Sequence, residues 1–268
     1  MSSFIFCSLS IGLPYTRDYT IPLIKEILSM TTSRLAITTD QVQFLQAEFP
    51  NEPRLILTHF DSSKHKLRLQ ISPYPDGATD FNFNLKYLVF EPILDAPEPY
   101  VVYTDCDNSM IKWEEDVILN RLATEHKLGF TFFAERGGEG ALAGIIKEYL
   151  RTFLMDEPPG LGWHKIWAFD LLHHPRPKWE NASFPSEHFL ILTNKDDMVK
   201  KFCLQWKELH DKLVALPYTH GTWAEGVEIG IAAIEAGYKS DQLPIEISDQ
   251  YKFNGRKPLF WHPNYRED

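Results

Sequence analysis

Short apolar runs that alternate with helical patterns constrain this chain more than any other feature. Phe4 to Leu9, Leu35 to Thr39, Arg54 to Thr58 and the stretch from Tyr100 to Tyr103 carry the Val, Ile, Phe and Tyr residues that suit a buried pleated surface. Helical segments lie between them. Pro22 stands near the start of a helix ending around Met30, with Ile24, Ile27 and Leu28 on one side. A short helix carries Val42, Phe44 and Leu45, and Asp40 is placed to cap it. A further helix is expected from Asn82 to Phe90, while Ile11 to Tyr15 reads as a loop. This βαβα order predicts an α/β fold with a mostly parallel central sheet flanked by helices, Rossmann-like in its layering. Ligands of such sheets bind beyond the carboxyl ends of the strands, and Gly12, Asp40 and Asp105 all fall at such ends.

The second half is less regular. Glu114 to Thr124 reads as a helix and Leu128 to Ala134 as a strand. A loop with three glycines, Glu135 to Gly140, opens a helix bearing Leu142, Ile146, Tyr149 and Phe153. Residues 156–186 are rich in Pro, His and Trp, with no clear period, as in a binding loop or lid. Phe189 to Leu192 is a strand. Asn194 then caps a helix carrying Val199, Phe202, Trp206, Leu209, Leu213 and Leu216, which Pro217 stops. Trp206 belongs to the core. A last helix runs from about Thr222 to Ala236. No repeat or linker divides the chain, so residues 1–268 are expected to form one domain, with halves 1–135 and 136–268.

Charge narrows the partners. The chain of 268 residues carries a formal net charge of −10, which disfavours nucleic acid and anionic membrane surfaces. Three scattered cysteines, Cys7, Cys106 and Cys203, fit neither a disulfide framework nor a zinc site and point to a reducing, cytoplasmic setting. No segment has the length of apolar residues that a membrane span needs, and the first residues lack the basic start of a signal peptide.

The chemistry concentrates at Asp105-Cys106-Asp107, directly after an apolar strand. Two carboxylates emerging together where a strand turns can meet one hard cation. Magnesium and manganese are held by one or two carboxylates plus substrate phosphates. The pattern therefore points to a metal that grips a diphosphate. Lys86, in the segment before that strand, is a candidate for a phosphate contact, and Tyr15 for stacking on a base.

These features resemble the GT-A fold of glycosyltransferases. The likeness rests on Phe4 to Gly12, on Thr38-Thr39-Asp40 and on Tyr103-Thr104-Asp105-Cys106-Asp107, and it covers roughly the first 135 residues. It implies that the loop after the first strand holds the nucleotide of a nucleotide diphosphate sugar, with Ser8, Ile11 and Tyr15 lining it. It also implies that Asp40 meets the base, that Asp105 and Cys106 border the donor, and that Asp105 and Asp107 bind manganese or magnesium. The C-terminal stretch Phe253 to His262 is similar to the Gly-and-Lys-Pro segment with which some retaining members close their site. There a His joins the metal, so His262 is the third candidate ligand. The stretch departs from that pattern: the gap from Gly255 to Lys257 is one residue short, and Lys252 stands near the place of the expected His.

Transfer to a hydroxyl of a glycan or other acceptor needs a stabilised leaving group, a placed acceptor and, with inversion, a base. Inversion is the favoured outcome. Thr222 opens the last helix and Glu225 falls three residues on, a capping-box position that also suits a base. Glu228, on the same helical face, is the reserve, and Trp223 would wall the acceptor. Arg136 with Gly137 and Gly138 would let the backbone approach the donor. Trp163, His164, Trp167, His173 and His174 would shape an acceptor pocket.

Two rivals stand beside this reading. A haloacid dehalogenase-type phosphatase also uses Asp-x-Asp after a strand, with Asp196 and Asp197 as its distal acids. A non-catalytic carbohydrate-binding protein would leave the acids without a catalytic role.

Overall fold

The computed structural model describes residues 2–64, 82–124, 131–132, 188–214, 225–238, 241–242, 247 and 249–252. Strand β1 (Phe4–Ser10) is buried along its whole length. Ile11 and Gly12 lead into α1 (Leu13–Tyr15), a π-helical turn (Thr16–Thr20) and α2 (Ile21–Met30). The expected loop over Ile11 to Tyr15 is thus already helical from Leu13. Two prolines account for this. Pro14 sits in the first turn, where a missing N–H costs nothing. Pro22 lies further in, where its ring would press on the carbonyl four residues back; that residue, Asp18, is in the wider π turn, which relieves the clash.

Strand β2 (Arg34–Thr39), α3 (Val42–Glu48) and β3 (Leu55–His59) follow as expected. The segment over Asn82–Val89 is helical but wound as a 3-10 helix, and a shorter 3-10 turn spans Glu91–Ile93. Then come β4 (Tyr100–Thr104), β5 (Ser109–Met110), α4 (Glu115–Thr124), β6 (Thr131–Phe132), β7 (Phe189–Thr193), α5 (Met198–Val214), α6 (Glu225–Ala236), β8 (Asp241–Gln242) and β9 (Tyr251–Lys252). The glycine loop at 135–140, the helix expected after it and residues 156–186 lie outside the described residues, as do Thr222, Trp223 and His262.

The main sheet has the order β3-β2-β1-β4-β7-β6-β8. Strands β1, β2, β3 and β4 are mutually parallel, β7 runs antiparallel to both β4 and β6, and β6 pairs parallel with β8. The fold is α/β with a mostly parallel sheet. Alternation of side chains sorts the buried strand residues onto two faces. Ile5, Cys7, Val101, Tyr103, Leu190 and Leu192 pack with the 3-10 segment, α5 and α6, around the fully buried Trp206. Phe4, Phe6, Val102, Phe189 and Ile191 pack with α2 and with Ile118 of α4. Each large apolar side chain so enclosed contributes about 1.5–3 kcal/mol.

Asn194 does not cap α5. Its amide donates to the carbonyls of Ala96 and Glu98, at 3.0 and 3.1 Å, and so ties the end of β7 to the approach to β4. The helix begins instead at Met198, after Asp196 and Asp197 turn the chain at φ 53° and 59°.

Candidate active site

The chain runs outward from β1 through β2 to β3 and then returns to place β4 on the other side of β1. Strand order reverses between β1 and β4, and in open α/β sheets the crevice at the carboxyl ends of such a pair is where ligands bind. Register fixes what reaches that edge. Ser10 pairs with Thr39, and Cys7 pairs with Tyr103. The residues that follow, Ile11 and Gly12, Asp40, and Asp105 to Asp107, therefore leave the sheet at one edge.

Asp40 shapes the loop after β1. Its Oδ1 accepts the Gly12 backbone N–H at 2.9 Å. Gly12 has φ 89°, a left-handed value that a side chain would strain. Asp40 therefore does not cap α3. Gln41 holds the N-cap position, and its own N–H goes to Thr39 Oγ1 at 3.0 Å. Ile11 is half-buried against the core.

Ser8 and Cys106 form the wall. The Ser8 hydroxyl donates to the Thr104 carbonyl at 2.6 Å and lies 2.9 Å from Cys106 Sγ. The Cys106 thiol also donates to the Leu9 carbonyl at 3.2 Å. Both side chains are fully buried, and they bolt β1 to the turn after β4. Burial pushes the Cys106 thiol up to about 12, against hydrogen bonds from Ser8 and Thr20. Ser10 extends the network, with its hydroxyl 2.8 Å from that of Thr16 and 2.6 Å from that of Thr20. The π turn is thus held to β1 by buried hydroxyls.

Asp105 is clasped by protein donors on both oxygens. Lys86 Nζ lies 3.1 Å from Oδ1, and it donates to Oδ2 at 3.2 Å. The Tyr103 hydroxyl donates to Oδ1, and His188 Nδ1 sits 2.9 Å from Oδ2. Burial would raise the Asp105 carboxyl, but the Lys86 charge, His188 and Tyr103 together hold it below the usual carboxylate range. Lys86 is itself buried and lies over the Tyr103 ring at 5.8 Å. It is neither a solvated lysine nor set apart for phosphate alone.

Asp107, two residues on, is 3% exposed. Its charge acts on the phenols of Tyr15 and Tyr19, which burial already pushes upward. The two tyrosine rings lie 4.9 Å apart. Asn108 locks the turn, donating to Thr104 Oγ1 at 3.0 Å and to the His188 carbonyl at 2.8 Å. Strand β5 then pairs with β9, which sets exposed Lys252 opposite Ser109.

The expected second-half residues are placed less completely. Glu225 is the first described residue of α6. Glu228 is fully buried between α5 and α6 and accepts the Trp206 indole N–H at 3.1 Å. His188 and Tyr103 went unnoticed in the sequence as members of this cluster. A His at the head of an apolar strand, one residue outside its run, was the available signal.

The donor set bears on which cation would fit. Among the described residues no group of three or more His, Cys, Asp or Glu side chains is arranged to hold a metal ion. With Lys86 and His188 on Asp105, a cation shared by both acids would have to displace them. A magnesium- or manganese-type ion can take one protein carboxylate and complete its shell with phosphate and water, and Asp107 would be the residue to supply it.

The phosphatase arrangement does not form. β7 runs antiparallel to β4 with Thr193 opposite Tyr100, so Asp196 and Asp197 emerge at the other edge of the sheet. The length of β4, about 13 Å at ~3.3 Å per residue, separates them from Asp105 and Asp107.

No protein-family model and no curated protein matches the chain. Among solved structures it is similar to residues 1–349 of S. aureus TarS in complex with UDP, with TM-score 0.33 and 10% identity over 50% of this chain and 35% of that one. It is also similar to the apo bifunctional glycosyltransferase WbbM, with TM-score 0.43 and 14% identity over 91% of this chain and 39% of that one. Mouse xyloside xylosyltransferase 1, in its apo form, gives TM-score 0.45 and 8% identity over 91% of this chain and 85% of that one. The chain thus spans well under half of TarS and WbbM. At these scores the correspondence is too loose to carry residue roles across, and the site is read from this chain's own geometry.

Proposed function

We propose that this chain is a glycosyltransferase. It would use a nucleotide diphosphate sugar and a manganese or magnesium ion to move a hexosyl or pentosyl group to a hydroxyl of a glycan or other acceptor. One observation supports this above the rest: Gly12, Tyr15 and Asp107 lie past the carboxyl ends of the reversed strand pair β1 and β4, and Asp40, past the end of the adjacent β2, binds Gly12. That edge offers a backbone loop, an aromatic ring and acids, the parts a nucleoside diphosphate needs in an acidic protein.

On this reading Asp107 holds the cation, with His262 as a further ligand. When bound, the ion supplies Lewis-acid stabilisation to the leaving diphosphate. Asp40 fixes the Gly12 loop through one carboxylate oxygen and meets the base with the other. Tyr15 stacks on that base. Ser8, Ile11 and Cys106 form the floor. Lys86 neutralises Asp105, so a diphosphate approaches a local pair rather than a second bare acid. Glu225 takes the proton of the acceptor hydroxyl, which gives inversion at the sugar carbon. Three buried thiols suit a reducing cytoplasm.

Calorimetry with UDP, GDP and their sugar conjugates tests the donor, with and without manganese. Binding that appears only with manganese supports the reading. No binding by any of them, with manganese present, overturns it and favours a carbohydrate-binding role. Glu225→Gln is expected to lower turnover by at least about 100-fold and to leave donor affinity unchanged. Unaltered turnover would remove Glu225 from the role.

A further inference from the structure

Asp107 stands at the third place of a tight turn. The Asn108 N–H returns to the Asp105 carbonyl at 3.2 Å and closes that turn over four residues. Both neighbours of Asp107 are tied down by their side chains. Before it, Cys106 is held by Ser8 and by the Leu9 carbonyl. After it, Asn108 is fully buried, and its amide donates to Thr104 Oγ1 at 3.0 Å and to the His188 carbonyl at 2.8 Å. One side chain thus joins the last residue of β4 to the residue before β7. The chain beyond is caught as well, because Glu26 of α2 accepts the Met110 N–H at 2.9 Å.

A backbone held on both sides of one residue sets where its side chain points. That direction matters most for an ion that takes a single protein carboxylate, since no second protein ligand makes up for a misplaced one. Groups that orient a ligand without touching the ion commonly carry 10- to 100-fold in metal affinity (an order-of-magnitude range). The other end of β7 supplies a comparison. There Asn194 donates to the carbonyls of Ala96 and Glu98, two bonds of the same kind at the edge away from Asp107. Both asparagines tie β7 to the β4 segment, but only Asn108 is next to the acid.

We propose that Asn108 is a positioning residue: by binding the end of β4 and the head of β7 at once, it sets the direction of the Asp107 carboxylate and with it the affinity for the divalent ion. This rests on the metal-dependent reading above and adds a residue to it that touches neither ion nor donor.

Manganese would be titrated into the chain with UDP or GDP, and calorimetry would read the manganese concentration at which half of the nucleotide binding appears. Asn108→Ala is expected to raise that concentration about tenfold, with nucleotide affinity at saturating manganese within about twofold of wild type. Asn194→Ala removes two bonds of the same kind and is expected to leave both quantities within about twofold. An unchanged manganese requirement in Asn108→Ala, or an equal rise in Asn194→Ala, overturns the proposal. Thr104→Val carries the test if Asn108→Ala does not fold, because it removes one of the two acceptors and keeps the side chain's shape. It is expected to raise the requirement about threefold, and a rise below about 1.5-fold overturns the proposal. In each of these failures the unaltered chain still binds with manganese, so the donor reading stands. If the unaltered chain binds the nucleotide equally well without manganese, the ion's role fails and this proposal with it. If it binds no nucleotide at all, the donor reading fails too.

Discussion

The two edges of the sheet handle charge in opposite ways. At the amino edge, where β2, β3 and β4 begin, Arg34 donates to Glu98 through two nitrogens, each at 2.7 Å. Arg54 donates to the carbonyls of Thr31 and Leu28 at the end of α2, and it also pairs with Glu52. Planar guanidinium forks fix geometry as well as balance charge. At the carboxyl edge Asp40, Asp105 and Asp107 gather. There Lys86 pairs with Asp105. One edge is closed by matched pairs. The other gathers acidic groups whose contacts, at Asp105, are made with an ammonium, an imidazole and a phenol rather than with a guanidinium. The difference separates charge used to hold strands together from charge gathered at the edge where ligands of such sheets bind.

The largest expected effect breaks this contrast at its centre. Lys86→Met leaves the buried Asp105 carboxylate without its ammonium and should cost about 3 kcal/mol in urea unfolding. Adding Asp105→Asn should recover much of that, because the uncompensated charge is then gone. A single-variant loss below about 1 kcal/mol would mean that Asp105 is not anchored as described. Arg34→Met is the matching change at the amino edge. Arg34 is 38% exposed against 10% for Glu98, so solvent screens the pair and the expected loss is about 1 kcal/mol. Salt sharpens the comparison. Raising it to about 1 M should shrink the Arg34 effect and leave the Lys86 effect nearly intact.

Local pattern foretold the parallel strands but not their partners. Phe4 to Ser10 and Arg34 to Thr39 are apolar because both faces of a parallel strand are covered, and such runs stand out without any knowledge of neighbours. Asp40 and Asp105 were visible as acids just past strand ends. What each acid touches was not, because those contacts span the chain. Asp40 meets Gly12, 28 residues away, and Asp105 meets Lys86 and His188, 19 and 83 residues away. The antiparallel sense of β7 was hidden for the same reason. Phe189 to Leu192 reads the same in either direction, and only its pairing with β4 decides. Asn194 misled because a capping side chain and one that binds distant carbonyls are the same residue type.

The smallest expected change in stability falls where the functional effect is largest. Asp107→Asn keeps the shape of a buried side chain and removes its charge. On the proposed role that charge serves a bound cation rather than the packing of the fold. Unfolding should therefore shift by less than about 1 kcal/mol, in either direction. Manganese-dependent binding of a sugar nucleotide should vanish in the same variant, because the carboxylate proposed to hold the ion is gone. A loss of stability as large as that of Lys86→Met would make Asp107 a structural acid like Glu98. The carboxyl edge would then be closed by its own charges, and the contrast between the two edges would disappear.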